Sequence, residues 1–295
     1  MKIGVIGGSG LYEMDGLRNI QPRAIATPFG PPSDEYMGGE LGGHEVFFLP
    51  RHGRGHRLLP SEINHRANIF GFKTLGVERI ISISAVGSLR EELRPRDIVL
   101  PDQYFDRTKK SAEHTFFGQG IVAHAPFGEP ACPDLRRQAA AACRQAILRQ
   151  KQDGEIRVHT GGTYVNMEGP AFSTKAESLF YRKMGFDVIG MTSLGEAKLC
   201  REAGICYQLL AMVTDFDCWH ESEQPVTVEI ILANLTANSS LAKEVVRELV
   251  GQLSARPQCG CAGAMSNAVF TAPAAMPAER RKMLAPLLGK YVGDA

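Results

Sequence analysis

An α/β fold, with a central mixed β-sheet flanked by α-helices in a single domain, is the architecture this sequence predicts. Three observations lead there. Apolar runs of strand length alternate with longer amphipathic stretches through most of the chain, as expected when strands are separated by helices that cover a sheet. A length of 295 residues with a hydrophobic share of 44% suits one folded unit of this class. No internal repeat, low-complexity block or composition break marks a boundary, so residues 1–295 are read as one domain.

Taken along the chain, the apolar runs predict strands at 3–6, 45–49, 79–85, 97–100, 163–167, 187–190 and 208–213. Helical periodicity is clearest at 64–75, 135–150, 174–184, 194–202 and 228–253, with a last short helix at 278–288. Ser173-Thr174 before Lys175-Ala176-Glu177 supplies an N-cap with an acid in the first turn. Antiparallel pieces are expected where connections are short. Segment 105–133 is long, mixes Gly, His, Pro and aromatic residues and has no period; such loops are usually functional or pack on another subunit. Segment 251–275, rich in Pro, Gly, Ala and Cys, links the long helix to the last one.

A net charge of +1 without a basic block argues against nucleic acid as the main partner, because phosphate affinity comes from clustered Lys and Arg. Small molecules are the expected partners. The first residues carry one positive charge and a short apolar run ended by Glu13 and Asp15, unlike a signal peptide, and no window reaches the ~18 apolar residues of a membrane span. A cytoplasmic location is expected. The seven cysteines, Cys132, Cys143, Cys200, Cys206, Cys218, Cys259 and Cys261, do not resemble a small disulfide framework, and most are read as buried thiols. Cys259-Gly260-Cys261 stands apart. A metal site there needs further ligands, and no companion Cys or His pair lies at zinc spacing, which ranks metal below a redox-sensitive or disulfide-forming pair, and that below plain thiols.

Chemistry is expected at strand ends, where open α/β sheets bind ligands. The apolar run at 208–213 leads into Thr214-Asp215-Phe216-Asp217-Cys218-Trp219: two closely spaced carboxylates suited to general-acid work beside a heterocycle, or an acidic loop with turn chemistry. Gly7-Gly8-Ser9-Gly10 follows the first strand and is either an anion cradle of backbone amides and a hydroxyl or a simple tight turn. It is no dinucleotide fingerprint, since the third glycine is missing, and no P-loop, since no Gly-Lys-Ser/Thr follows. Arg51-His52-Gly53-Arg54-Gly55-His56-Arg57 opens at another strand end, with Arg suited to oxyanions. Ser82-Ile83-Ser84-Ala85-Val86-Gly87-Ser88 runs a strand into small residues with hydroxyls and amides. No nucleophile stands beside a base in these motifs, so a covalent intermediate is not favoured. Asn166 to Phe172 and Gly190-Met191-Thr192-Ser193 follow two further strands.

Together, Ile6-Gly7-Gly8-Ser9-Gly10, Arg51-His52-Gly53, Ser84 to Glu92, Glu168-Gly169-Pro170-Ala171-Phe172, Gly190-Met191-Thr192 and Thr214 to Trp219 resemble the trimeric purine nucleoside phosphorylases, and most closely the methylthioadenosine phosphorylases. The similarity spans about residues 2–253, leaving 254–295 as a tail with a short helix. The resemblance implies a homotrimer, with a hexamer of paired trimers left open. It implies phosphorolysis of S-methyl-5′-thioadenosine in purine and methionine salvage, by a pentosyltransferase with inorganic phosphate as co-substrate and neither cofactor nor metal. Phosphate would be held by Ser9, Arg51, His52, Ser84, Ala85 and Thr192. Met191 would lie under the ribose near Gly190, Phe172 would stack near the base, and Asp215 with Asp217 would face the purine N7 and 6-amino edge. Val228, Ile231 and Leu232 would enclose the methylthio group, and His124 would reach into the neighbouring subunit's site. Shielding by the base and by Asp217 should raise the Asp215 pKa.

The chain departs from that pattern at Gly190, where methylthioadenosine phosphorylases often carry Asn and 6-oxopurine phosphorylases Gly. Asp215 points the other way, because the oxopurine enzymes usually have Asn there, and it is given the greater weight. Alternatives are an oxopurine phosphorylase acting on methylthioinosine or on inosine and guanosine, a nucleoside-binding module without turnover, and an NAD-linked oxidoreductase, weakened by the missing fingerprint.

Overall fold

The first strand, β1 (Lys2–Gly7), runs parallel to β4 (His44–Pro50) on one side and to β5 (Arg79–Ser88) on the other. The computed structural model describes residues 1–8, 10–151, 155–220, 228–289 and 291. Among these, β2 (Arg18–Arg23), β3 (Tyr36–Leu41), β6 (Ile98–Leu100), β7 (Gln103–Arg107), β8 (Val158–Thr160), β9 (Thr163–Met167), β10 (Val188–Gly190) and β11 (Cys206–Phe216) complete one mixed sheet of 11 strands. Its main path is β2-β3-β4-β1-β5-β10-β9-β7, with β11 joining β5 to β6 and β6 joining β8. The long β5 is the hinge of this arrangement: it takes β11 in parallel along its length and turns its last residues, Gly87 and Ser88, to antiparallel β10.

Helices cover both faces. On one, α1 (His65–Thr74) packs on α4 (Ser193–Ala203) above a core that includes Phe72, Ile80, Tyr207, Leu209 and Val213. On the other, α2 (Pro133–Arg149) packs on α5 (Val228–Gln252) over Ile81, Ile83, Leu210 and Met212. Successive strand residues alternate between the two cores, as the pleat requires. α3 (Lys175–Lys183) starts with a reciprocal cap: Thr174 accepts from the Glu177 amide and Glu177 accepts from Thr174. The α/β class and the predicted elements are therefore observed, with differences at four strands and in the tail.

The sequence reading omits β2, β3, β7 and β8. Every residue of β2 is exposed and Pro22 lies within it, as only an edge strand tolerates. In β3, two glycines dilute the apolar signal. Gly39 is required there, since a Cβ would stand 2.9 Å from Leu17 and 3.0 Å from the Arg18 carbonyl oxygen. β7 takes Phe105, Asp106 and Arg107 out of the segment read as irregular. The final helix is two, α6 (Ala278–Met283) and α7 (Ala285–Leu288), broken where Pro286 opens the second. The Cys259–Cys261 pair also has companions in space: Cys132 at the start of α2 and Cys206 at the start of β11 bring four sulfurs together. Zinc spacing along the chain could not show this, because the ligands come from separate segments.

Candidate active site

Strand β11 does not stop at Val213. It continues to Phe216 and slips register against β5 between Val213 and Asp215, so that Val213 faces Val86, Asp215 faces Gly87, and Thr214 is the extra residue. Such a bulge re-aims the side chains that follow it. Asp215 Oδ1 lies 3.3 Å from where a Gly87 Cβ would stand, and Asp217 Cβ lies 3.5 Å from the same point. Both carboxylate residues thus flank Gly87. Helix α5 holds the bulge, with Asn234 donating to the Thr214 carbonyl at 2.5 Å and Asn238 to that of Val213 at 3.2 Å. The Thr214 hydroxyl donates to Asp215 Oδ2 at 2.7 Å. Asp217 is buried and its Oδ2 has no hydrogen-bond partner among the described residues. Behind the pair, Trp219 donates to the Ser88 carbonyl at 2.7 Å and lies under the Arg182 guanidinium, 3.4 Å from ring centroid to carbon.

Three strand ends meet beside this acidic turn. The Arg51 amide donates to the Gly7 carbonyl at 3.0 Å, joining the end of β4 to that of β1. Arg51 itself is 3% exposed. Its guanidinium donates to Glu196 Oε1 (2.5 Å) and Oε2 (3.3 Å), to Ser82 Oγ (2.6 Å) and to the Ile83 carbonyl (2.9 Å). Among the described residues four of the five donors are occupied, and one N–H of Nη1 is not. Glu196, in the first turn of α4, also accepts from Ser82 and Tyr207. Burial alone would raise its carboxyl; Arg51 outweighs that and holds it below the ordinary carboxylate range. Glu196 is the residue the sequence reading missed, and its only signal was an acid near the start of a helix following a strand end.

His52, next along, uses Nδ1 against the Leu58 carbonyl at 2.8 Å and stacks on His56 at 4.2 Å between centroids. Burial, aided by Arg51, pushes its imidazole down to about 4. The ring is therefore neutral at pH 7, with Nδ1 protonated and Nε2 free to accept. Thr192, the residue before α4, is buried, and its hydroxyl neither caps the helix nor meets another partner among the described residues. An unpaired buried hydroxyl is costly unless a ligand satisfies it. Ser84 and Ala85, half-buried near the end of β5, complete this rim, with Ser84 Oγ 3.2 Å from the Ala85 carbonyl. Ser9 lies outside the described residues.

On the side of β9 and β10, Asn166 accepts from the Leu194 amide at 3.0 Å and donates to the Met191 carbonyl at 3.2 Å, which fixes the Gly190-Met191-Thr192 turn. Gly169, at φ +70°, brings its backbone against Met191: a Cβ there would lie 2.6 Å from the Met191 sulfur. Gly190 has an equally local cause, since its Cβ would stand 2.2 Å from the Tyr164 hydroxyl. Phe172 is 63% exposed, in a loop tied to the acidic turn by the Cys218 thiol donating to the Ser173 carbonyl at 3.4 Å. Helix α5 begins at Val228, but the side chains of Val228, Ile231 and Leu232 lie outside the described residues. His124 is not brought to this site. It sits exposed on segment 116–125, edge-on to Phe270 at 5.2 Å, with its amide bonded to the Ala268 carbonyl.

The arrangement can seat an anion between the β1, β4 and β5 ends and the start of α4, with a carboxylate pair beyond it. Comparisons with known proteins agree. The family model of the phosphorylase superfamily matches residues 2–251. S-methyl-5′-thioadenosine phosphorylase of Geobacter sulfurreducens is 53% identical over 290 residues, 98% of this chain and 99% of the relative. Among solved structures, a methylthioadenosine phosphorylase from an Antarctic soil metagenomic library superposes with a TM-score of 0.91 at 48% identity, covering 97% of this chain and 98% of that one. A mutant adenosine/methylthioadenosine phosphorylase from Schistosoma mansoni, in complex with methylthioadenosine, gives 0.78 at 36% identity over 87% and 93%.

Proposed function

This chain belongs to the phosphorylase superfamily, and from that premise we infer that it is a pentosyltransferase catalysing phosphorolysis of S-methyl-5′-thioadenosine to adenine and 5-methylthio-α-D-ribose 1-phosphate. The observation that carries this reading is the bulge that sets Asp215 beside Asp217 at Gly87, in a chain 53% identical to a curated methylthioadenosine phosphorylase. Phosphate is bound by Arg51, His52, Ser84, Ala85 and Thr192 on the rim, and by Ser9, which lies outside the described residues. The open Thr192 hydroxyl and the remaining Arg51 N–H support that placement.

As the N9–C1′ bond breaks, positive charge develops on the ribose ring, and a phosphate poised on the opposite face stabilises it before attacking C1′. Asp215 delivers a proton to N7, so that adenine leaves neutral, and Asp217 accepts from the 6-amino group. Neutral His52 presents an acceptor at Nε2 to a phosphate hydroxyl. Met191 underlies the ribose, Phe172 covers the base, and Val228, Ile231 and Leu232 form the wall for the methylthio group, which selects a thioether over a 5′-hydroxyl by ~1–3 kcal/mol. The reaction needs no cofactor beyond its co-substrate. Gly190 does not argue for an oxopurine, because Tyr164 fills the space its side chain would need.

The protein is read as one cytoplasmic phosphorylase domain over residues 1–295, assembled as a homotrimer. Among the described residues no helix is long and apolar enough to cross a membrane. Exposed Val122 and Phe270 beside His124, and exposed Leu179, Phe180 and Met184 around α3, support burial against other subunits. The test is phosphorolysis of methylthioadenosine and methylthioinosine side by side, with and without phosphate. Phosphate-dependent adenine release is expected, falling by about 10²–10⁴-fold in Asp215→Asn or shifting toward the oxopurine. Faster hypoxanthine release from the inosine compound in the wild type would overturn the adenine assignment.

A further inference from the structure

The amino end of β11 carries a cluster that phosphorolysis does not use. Cys206 begins the strand, Cys132 is the N-cap of α2, and Cys259 and Cys261 lie in the tail. Their four sulfurs all lie within 4.8 Å of one another, with Cys206 and Cys259 only 3.4 Å apart. A tetrahedral ion with metal–sulfur bonds of about 2.3 Å places its ligand sulfurs about 3.8 Å apart. The sulfur spacing, from 3.4 Å up to at most 4.8 Å, brackets that value. Three of its residues are buried and Cys259 is half-buried, so the ligands shield one another from solvent as in closed structural sites.

The surroundings favour thiolate. Cys132 sulfur accepts the Leu135 amide at 3.4 Å in the first turn of the 17-residue α2, where the helix end stabilises negative charge. Opposite Cys206 in the β5–β11 register stands Arg79, 1% exposed, which faces the same helical layer. Its Nε and Nη1 lack hydrogen-bond partners, and no carboxylate pairs with it among the described residues. Its Nη2 donates to the Ser254 carbonyl at 2.6 Å, so this buried positive charge sits on the strand beside the one that carries Cys206.

We propose that Cys132, Cys206, Cys259 and Cys261 form a structural tetrathiolate site for one Zn²⁺ ion. Four soft sulfurs gathered at this spacing suit zinc among the divalent ions. The ion joins the tail to the starts of β11 and α2. Beyond it, the tail supports segment 116–125: Ala268 accepts from His124, Phe270 donates to Val122, and Arg280 donates to Phe116. The site is a staple, distant in role from the transfer chemistry, and stands whether or not the nucleoside assignment holds.

The test uses the untagged full chain, produced with added zinc and purified without chelator. Elemental analysis should give about one zinc per chain, released when a mercurial blocks the thiols. Replacement by Co²⁺ should give the strong visible absorption of tetrahedral cobalt thiolate. Cys259→Ser/Cys261→Ser should retain less than about a tenth of the metal, whereas Cys143→Ser, which removes a buried thiol outside the cluster, should retain all of it. Wild-type content and the cobalt spectrum decide the matter even where the double variant fails to fold. Wild-type protein that takes up no zinc at equilibrium, that carries iron instead, or whose mass shows these cysteines paired as disulfides would overturn the proposal. None of these readouts depends on turnover.

Discussion

The two ends of β11 solve opposite problems. At the carboxyl end, a one-residue bulge turns Asp215 beside Gly87, and Asp217 Oδ2 just beyond it is buried with no partner among the described residues. At the amino end, Cys206 meets three other thiols, each within reach of the rest. One end holds polar groups open at a cost in stability; the other closes its polar groups on themselves. Eight residues lie between Cys206 and Asp215 along one strand, so both ends belong to a single element. The difference teaches that a group without a partner, such as the Thr192 hydroxyl, is the better guide to ligand binding than a group already satisfied, such as Arg51.

The largest effect should come from the network that ties the open end down. Glu196→Gln leaves the Arg51 charge buried and unmatched, and should cost about 3–5 kcal/mol in denaturant unfolding, together with a rise in KM for phosphate. A loss below about 1 kcal/mol would mean that Arg51 is not held by this pair.

Acid should act next, and with a defined sign. His52 and His65 sit at about 4 and about 3 in the folded protein, both lowered by burial, against ~6.5 unfolded. The unfolded chain then binds more protons in that window, so their contribution is complete above pH ~6.5 and is lost as pH falls. Glu202, raised by burial to about 7, works in the other direction between pH 7 and its unfolded value of ~4.5. Stability should therefore decline gently from pH 6.5 and more steeply below about 4.5, once the Glu202 contribution is exhausted. His52→Asn should flatten the curve by on the order of 1–3 kcal/mol at pH 4; an unchanged curve would place the His52 pKa near its ordinary value.

Gly190→Ala should destabilise by about 1–3 kcal/mol through contact with the Tyr164 hydroxyl, and Tyr164→Phe should recover part of the loss. The ratio of adenine to hypoxanthine release should stay put; a shift toward the oxopurine would make Gly190 a base-selecting position after all. Smallest should be Thr192→Val, which is expected to raise KM for phosphate about tenfold, the loss of one hydrogen bond, while leaving unfolding almost unchanged because the hydroxyl has no partner among the described residues.

What sequence could reveal of these two ends differs for a physical reason. The acidic turn and the Arg51-His52, Ser84-Ala85 and Met191-Thr192 pairs are contiguous motifs at strand ends, where an α/β sheet must gather its ligands, so local residues carry the whole signal. The bulge at Thr214 was not legible, because it depends on Asn234 and Asn238 reaching from α5. Glu196 was missed because an acid in a first helical turn is ordinary, and only burial against Arg51 makes it exceptional. The thiol cluster was hidden since Cys132, Cys206 and the Cys259–Cys261 pair are brought together only by tertiary structure. Strands such as β2 escaped because an exposed edge carries no apolar alternation.

Trp219 gives the acidic turn an optical property as well. The chain contains a single tryptophan, and its indole is pinned between the Ser88 carbonyl and the Arg182 guanidinium, with Phe216 and His220 also against it. All indole emission from this protein therefore originates two residues from Asp217. A nucleoside seated beside Asp217 would alter the field around that one fluorophore, so binding can be followed in real time on the native chain, without a label.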